Sequence, residues 1–157
     1  MKRTLLFVLA LVAAGCADAG QSASCADLSE ESPLEDVRTC AEQGYAEAQV
    51  QLGYVYARGD GVPEDDAEAL RWYRIAAEQG NRLAQVRLGW LYTTGEAGDG
   101  GPEDDVLAYM WANLAAAQGS SAAQGVKSII ERRMTRAQIA EAQRLSTEWL
   151  EAHPPGN

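Results

Sequence analysis

Three kinds of residue in this chain could carry chemistry. The first is acidic: Asp60 within "ARGDG", and the triplets Glu64-Asp65-Asp66 and Glu103-Asp104-Asp105, each directly after a proline. Paired carboxylates can cut glycans or hold calcium. The second is thiol: Cys16, Cys25 and Cys40. The third is His153, the only histidine, within "EAHPPGN". None of these assembles into a reaction centre. Hydrolysis needs an activated nucleophile, a base and an oxyanion pocket. The sequence has no Gly-x-Ser-x-Gly, Ser-x-x-Lys, His-Glu-x-x-His or phosphate-cradling glycine loop. Asp60 and Asp99 lack the alternating oxygen ligands of a calcium loop. His153 sits in a tail whose prolines preclude helix, so it is expected to be exposed and mobile. The chain is therefore expected not to be an enzyme and to carry no cofactor or metal.

Charge narrows the partners. The net charge of −10 over 157 residues argues against phosphate-backbone binding, which needs clustered Lys and Arg. The N-terminus reads as an address. Lys2 and Arg3 precede the apolar run "TLLFVLALVAA", which at eleven residues is well short of the ~20 that span a bilayer. Two cleavages compete over residues 1–19. "AAGC" resembles a bacterial lipobox whose Cys16 would become the lipidated first residue, although Ala13 stands where Leu is more usual. "ADA" would suit ordinary cleavage after Ala19. Lipidation with Ala17 at the second mature position would imply the outer membrane of a Gram-negative cell. Either cut leaves Cys25 and Cys40 as an even pair, expected to form a disulfide in an oxidising compartment. No CxxC supports a redox or zinc motif.

The elements that position these residues come from a repeat. The pairs Ala48-Gln49, Ala84-Gln85 and Ala123-Gln124 recur at spacings of 36 and 39, which predicts stacked helical units. The three extra residues, Glu96-Ala97-Gly98, fall in a loop. In the first unit, one helix (helix A) is expected over about 46–57 and a second (helix B) over about 64–79. Gly59 and Gly61 would end helix A, and Pro63 with Glu64, Asp65 and Asp66 would open helix B. Pro102, Glu103, Asp104 and Asp105 repeat that start in the second unit. The acidic triplets are thus explained as helix starts, and Arg58-Gly59-Asp60 as an inter-helix bend. Gly53 and Gly89 interrupt helix A at equivalent places, which predicts close approach of helix B, with Ala76-Ala77 and Ala115-Ala116 making the tight contact.

"AEAQVQLGYVYARGDGVPEDDAEALRWYRIAAEQG" (46–80) and "LAQVRLGWLYTTG…GPEDDVLAYMWANLAAAQG" (83–119) resemble the Sel1-like repeat (SLR), a branch of the tetratricopeptide superfamily. That resemblance implies an all-α fold, a right-handed α-solenoid of helix-turn-helix units. The expected organisation is residues 20–44 as an N-terminal segment with a partial repeat helix, 45–80 and 81–119 as full units, 120–152 as a degenerate third unit, and 153–157 as a tail. A final helix is expected from Thr135, with Gln138 completing a capping box. The cysteine-rich members linked to β-lactam binding or hydrolysis carry a cysteine pair in each repeat, and these repeats have none.

Helix A carries two apolar stripes on nearly opposite faces. Ala48, Leu52, Val55 and Tyr56 form one, and Val50, Tyr54 and Ala57 the other. Ala84, Leu88, Leu91 and Tyr92, and Val86, Trp90 and Thr93, repeat them. By the resemblance, the second stripe lines a concave groove, with Val50, Tyr54, Arg58, Val86, Trp90 and Ile129 as partner-contacting residues. Arg74 and Arg87 would add charge nearby. The alternative is that a flanking segment folds over this stripe and buries it as core. The expected function is an interaction module of the cell envelope (adaptor, assembly factor or regulator) that binds another envelope protein. No nucleic acid is expected as a partner, and no membrane contact beyond the lipid anchor. A cell-wall-binding module, a glycan or β-lactam hydrolase and a purely structural lipoprotein are the alternatives.

Overall fold

The computed structural model describes residues 24–29, 31–97 and 101–154; Cys16 and the expected signal segment, residues 1–19, lie outside them. The described residues form seven helices and no strand. The helices are α1 (Leu34–Glu42), α2 (Ala46–Arg58), α3 (Asp66–Glu78), α4 (Arg82–Thr94), α5 (Pro102–Ala117), α6 (Ser121–Ile130) and α7 (Arg136–Ala152). From α1 to α6 each helix packs on the next. This is an all-α helical-repeat solenoid in which α2/α3 and α4/α5 are the two full units.

The helix starts differ between units. Glu64 was expected in the first turn of helix B, but α3 begins only at Asp66. Asp65 is its N-cap, with a side chain that accepts from the Glu68 N–H at 3.0 Å. Pro63 and Glu64 stay in the loop because the Asp65 N–H is drawn back to the Tyr56 carbonyl at 3.0 Å. In the second unit Pro102 is the first helical residue, and the Gly101 N–H donates to Asp104 Oδ2 at 3.3 Å. Helix α2 ends on Gly59, whose φ of 68° is left-handed and whose N–H returns to the Val55 carbonyl. This is the inter-helix bend expected at Arg58-Gly59-Asp60.

Helices α2 and α3 approach closely at Gly53, where an added Cβ would lie 2.6 Å from Tyr73 Cε1. At Gly89 it would lie 3.3 Å from the Ala108 carbonyl and 3.4 Å from Ala112 Cβ. The contact is therefore not with Ala76-Ala77 or Ala115-Ala116, as expected, but earlier in helix B. Each glycine is at the middle of its helix, and in an antiparallel pair middle meets middle.

A buried polar ladder joins the units. Gln49 and Gln85 are 2% and 0% exposed. Gln49 Nε2 donates to the Ala41 carbonyl at 3.1 Å, and Gln85 Nε2 to the Ala77 carbonyl at 3.2 Å, each reaching the C-terminal end of the preceding unit. Their carbonyl oxygens accept from Gln79 Nε2 at 2.7 Å and Gln118 Nε2 at 2.8 Å, at the end of helix B in their own unit. Gln118 also donates to the Gly80 carbonyl at 3.1 Å.

The third unit departs from the pattern. Gln124 is exposed, and α7 packs on α5, where it would have paired with α6 in a full unit. Thr135 and Gln138 cap α7 reciprocally as expected. Ser146, buried, donates to the Ala142 carbonyl at 2.8 Å, and Trp149 meets Trp111 edge to face at 6.3 Å. His153 is exposed but not loose. Its ring stacks on Trp149 at 4.3 Å and its N–H returns to the Trp149 carbonyl at 2.9 Å, closing the last turn of α7.

Replacing Gln85 by Ala takes a buried donor from the Ala77 carbonyl and an acceptor from the Gln118 amide, an expected loss of about 1–3 kcal/mol. Gln124→Ala on the exposed side of α6 should change stability by less than ~0.5 kcal/mol. Urea unfolding of the two variants measures both, and equal losses would show that the buried amide does not tie the units together.

Candidate partner-binding face

The second stripe of helix A does not lie uniformly open. Val50, expected in the groove, is only 4% exposed and belongs to the core with Ala69 and Tyr73. Its side chain shares one core cluster with Ala69 and Tyr73 of α3 and with Ala84 and Leu88 of α4, so the side of α2 that a lone hairpin would leave bare is covered. Tyr54 is half-buried. Its ring meets Tyr73 edge to face at 5.8 Å, and the Arg87 guanidinium lies 4.3 Å from its centroid. Val86 is half-buried against the same core. Arg74, expected nearby, instead donates to the Tyr92 hydroxyl at 2.5 Å.

The stripe opens towards the C-terminus. Trp90 is 44% exposed and Ile129 41%. Helix α7, which could have covered them, is held on α5. Leu83, 47% exposed, adds to the surface one turn before Arg87. Leu83 went unnoticed because its counterpart in the first unit is Glu47, so the repeat alignment hides it; its i, i+4 relation to Arg87 was the available signal.

The N-terminal segment shapes the other end. The Cys25–Cys40 disulfide closes with a Cα–Cα distance of 5.5 Å, and Gln51 Nε2 donates to the Ser29 carbonyl at 2.6 Å. Leu28 packs with Leu34, Val37 and Val55. The segment forms a wall without closing over the stripe. An open groove of about 820 Å³ remains, with Leu28 and Leu34 on one side, Val50 and Tyr54 below, and Leu83 and Arg87 opposite. Arg58, exposed, borders it.

Burial pushes the Tyr73 phenol well above its usual range, and the adjoining Tyr54 adds to this; the positive charges of Arg87 and Arg58 pull the other way. Tyr109 is also raised, by burial and by Glu131, which accepts from its hydroxyl at 2.9 Å. Among the described residues no cluster of His, Cys, Asp and Glu is placed to hold a metal ion, and no helix is long and apolar enough to cross a membrane.

The Sel1 repeat family model matches residues 46–81 and 82–120. A Sel1 repeat protein from Oxalobacter formigenes matches at 35% identity with a TM-score of 0.58, over 75% of this chain and 85% of that one. The chain belongs to the Sel1 repeat family. A second solved Sel1-type structure, a protective antigen present in uropathogenic Escherichia coli strains and displaying an SLR fold, matches at 34% identity with a TM-score of 0.69. That match covers 75% of this chain but only 25% of the antigen, so the chain spans a quarter of its relative's length. No curated protein matches the chain. Sel1 repeats generally mediate protein–protein interaction and are mostly non-catalytic scaffolds.

The Tyr73 shift gives this Sel1 protein a pH signature. Below the usual tyrosine pKa of ~10 the phenol is neutral in both folded and unfolded chains, and its contribution is complete. Above it the unfolded chain releases the proton first, so stability should fall by up to ~1.4 kcal/mol per pH unit for this group. Thermal melts between pH 8 and 11 should show the decline, and Tyr73→Phe should make it shallower; an unchanged slope would mean the phenol is not sequestered.

Proposed function

We propose that the chain is a protein-binding module of the bacterial cell envelope, an adaptor, assembly factor or regulator, that captures another envelope protein on its helix A face. It is exported and held at the outer membrane of a Gram-negative cell by lipid on Cys16. The observation that carries the binding reading is the open face itself. Trp90, Leu83 and Ile129 are 44%, 47% and 41% exposed, with the N-terminal segment held on α1 and α2 and α7 held on α5. Large aromatics in such positions are good anchors for a partner, whereas an exposed indole adds nothing to the monomer's stability. The address rests on the sequence: the charged n-region, the short apolar run and the cysteine after Gly15. A disulfide between Cys25 and Cys40 suits an oxidising compartment. That one structural relative is a protective antigen of uropathogenic strains agrees with an exported protein.

The test is capture of cross-linked partners from detergent-solubilised envelopes, with wild-type chain and with Trp90→Ser combined with Ile129→Ser. The pair should abolish recovery of one specific envelope protein while the helical circular dichroism stays unchanged. Loss of helicity in the double variant would mark these side chains as core and remove the reading's support. Unchanged capture would place the binding surface elsewhere.

A further inference from the structure

One wall of the groove beside α2 is made by residues that the fold grips lightly. Residues 24–29 are exposed except for Cys25 and Leu28, which are half-buried. Among the described residues their non-covalent ties to the helices are few. Leu28 and the Cys25 sulfur pack beside the small cluster of Val37, Cys40, Leu52 and Trp72, and the Ser29 carbonyl accepts from Gln51 Nε2 at 2.6 Å in an exposed position. Cys25 Sγ also lies 3.4 Å from Gln43 Oε1, but a sulfur bonded to Cys40 has no proton to donate. The bonds from the Asp27 N–H to the Ser24 carbonyl and from the Ser29 N–H to Ser32 Oγ are local and move with the segment. A half-buried leucine, a sulfur contact and one exposed hydrogen bond return less than the conformational freedom lost in ordering six backbones. The disulfide makes the difference. Its other end is firm: Cys40 is 2% exposed, and α1 is docked on α2 through Val37, Ala41 and the Gln49 amide on the Ala41 carbonyl. The larger core, which runs from Val50 to Ala142, includes neither Cys25 nor Leu28.

We propose that the Cys25–Cys40 bond is a redox latch on the groove. Oxidation seats residues 24–29 as its wall, and in the dithiol state those residues swing free while the helices stay stacked. Leu28 and Ser29 line the groove, so the latch sets its shape whatever it receives. The latch closes by thiol–disulfide exchange with a disulfide-bearing oxidoreductase or a small disulfide. The Cys25 thiolate, the more exposed of the pair, attacks one sulfur of the oxidant and expels the other as a thiolate. The Cys40 thiolate then attacks Cys25 Sγ and displaces the first oxidant sulfur. Both electrons and both thiol protons end on the oxidant, which leaves as two thiols; a dithiol reductant runs the same steps in reverse. Cys25 and Cys40 border a depression of about 250 Å³ beside Asp36, Gln43 and Tyr45, through which an attacking thiol reaches them.

The experiment is backbone amide NMR relaxation on the full chain purified after export, oxidised, reduced with dithiothreitol, and as Cys25→Ser. Order parameters at residues 26–29 should fall from about 0.85, the value of rigid backbone, to below about 0.6 in the reduced chain and in the variant. Helicity and the amide shifts of α3 to α7 should not change. Oxidised Gln51→Ala should keep residues 26–29 rigid, because the covalent bond still holds them. Residues that stay rigid after reduction would overturn the latch, and so would mobility in oxidised Gln51→Ala, which would assign the hold to the hydrogen bond. Loss of helicity in the reduced chain or in Cys25→Ser would make the bond a staple of the whole fold and overturn the latch as well.

Discussion

A primary amide taken out of water must find partners for both its donor and its acceptor, and that requirement governs how this solenoid stacks. Gln49 and Gln85 are buried where helix A meets the preceding unit. Their N–H groups reach the Ala41 and Ala77 carbonyls at the ends of α1 and α3, which also accept from the Gly44 and Gly80 N–H groups of the following turns. Their oxygens accept from Gln79 and Gln118, which end helix B of the same unit. One side chain thus satisfies a helix end behind it and fixes a helix end ahead of it. A unit displaced by a single turn would bury the amide against apolar atoms, at a cost of several hydrogen bonds' worth of desolvation. The alanines around these sites, Ala48, Ala76, Ala77 and Ala84, are fully buried and let the backbones come close enough for so short a side chain to bridge them.

Where the ladder stops, the architecture changes. Gln124 has no buried counterpart role, and the chain no longer adds a helix A/helix B pair. Helix α7 turns back along α5 and brings Trp149 onto Trp111. Arg133, in the turn after α6, donates to buried Asp105 at 2.7 Å and to the Thr93 carbonyl at 2.9 Å, clasping three helices at once. Asp105 was read only as a helix-start carboxylate, and it serves there as well as anchoring this clasp. At the other end the disulfide and the Gln51–Ser29 bond hold the N-terminal segment. Each terminus of the stack is therefore closed by something other than a repeat, as solenoids require.

Much of this was legible in the sequence because it depends on local chemistry. The glycine at each helix end, the Thr135–Gln138 cap and the recurrence of Ala-Gln report directly on backbone geometry and repeat phase. The pairing of Cys25 with Cys40 followed from parity and compartment. What failed to show depends on contacts between units. Glutamine belongs by type at the surface, so periodicity could mark Gln49 and Gln85 as repeated but not as buried. Val50 sits 200° round the helix from Leu52 and looked like groove. It is core because residues of α3 and α4 share one cluster with it, which α2's own pattern does not report. Tyr54 carried the right type for an anchor, yet its exposure was decided by Arg87, a residue 33 positions away.

The proposed binding face is graded: half-buried beside Arg87 at Tyr54, exposed and apolar at Trp90 and Ile129. Its function depends on Trp90 being turned to a partner and not to the chain itself. The most direct measurement is in-cell photo-crosslinking from a probe residue at position 90, compared with one at Glu78, with the adducts identified by mass spectrometry. A single dominant envelope protein joined from position 90 and absent from position 78 is the predicted result. Adducts confined to the chain itself, or the same mixture from both positions, would contradict the account.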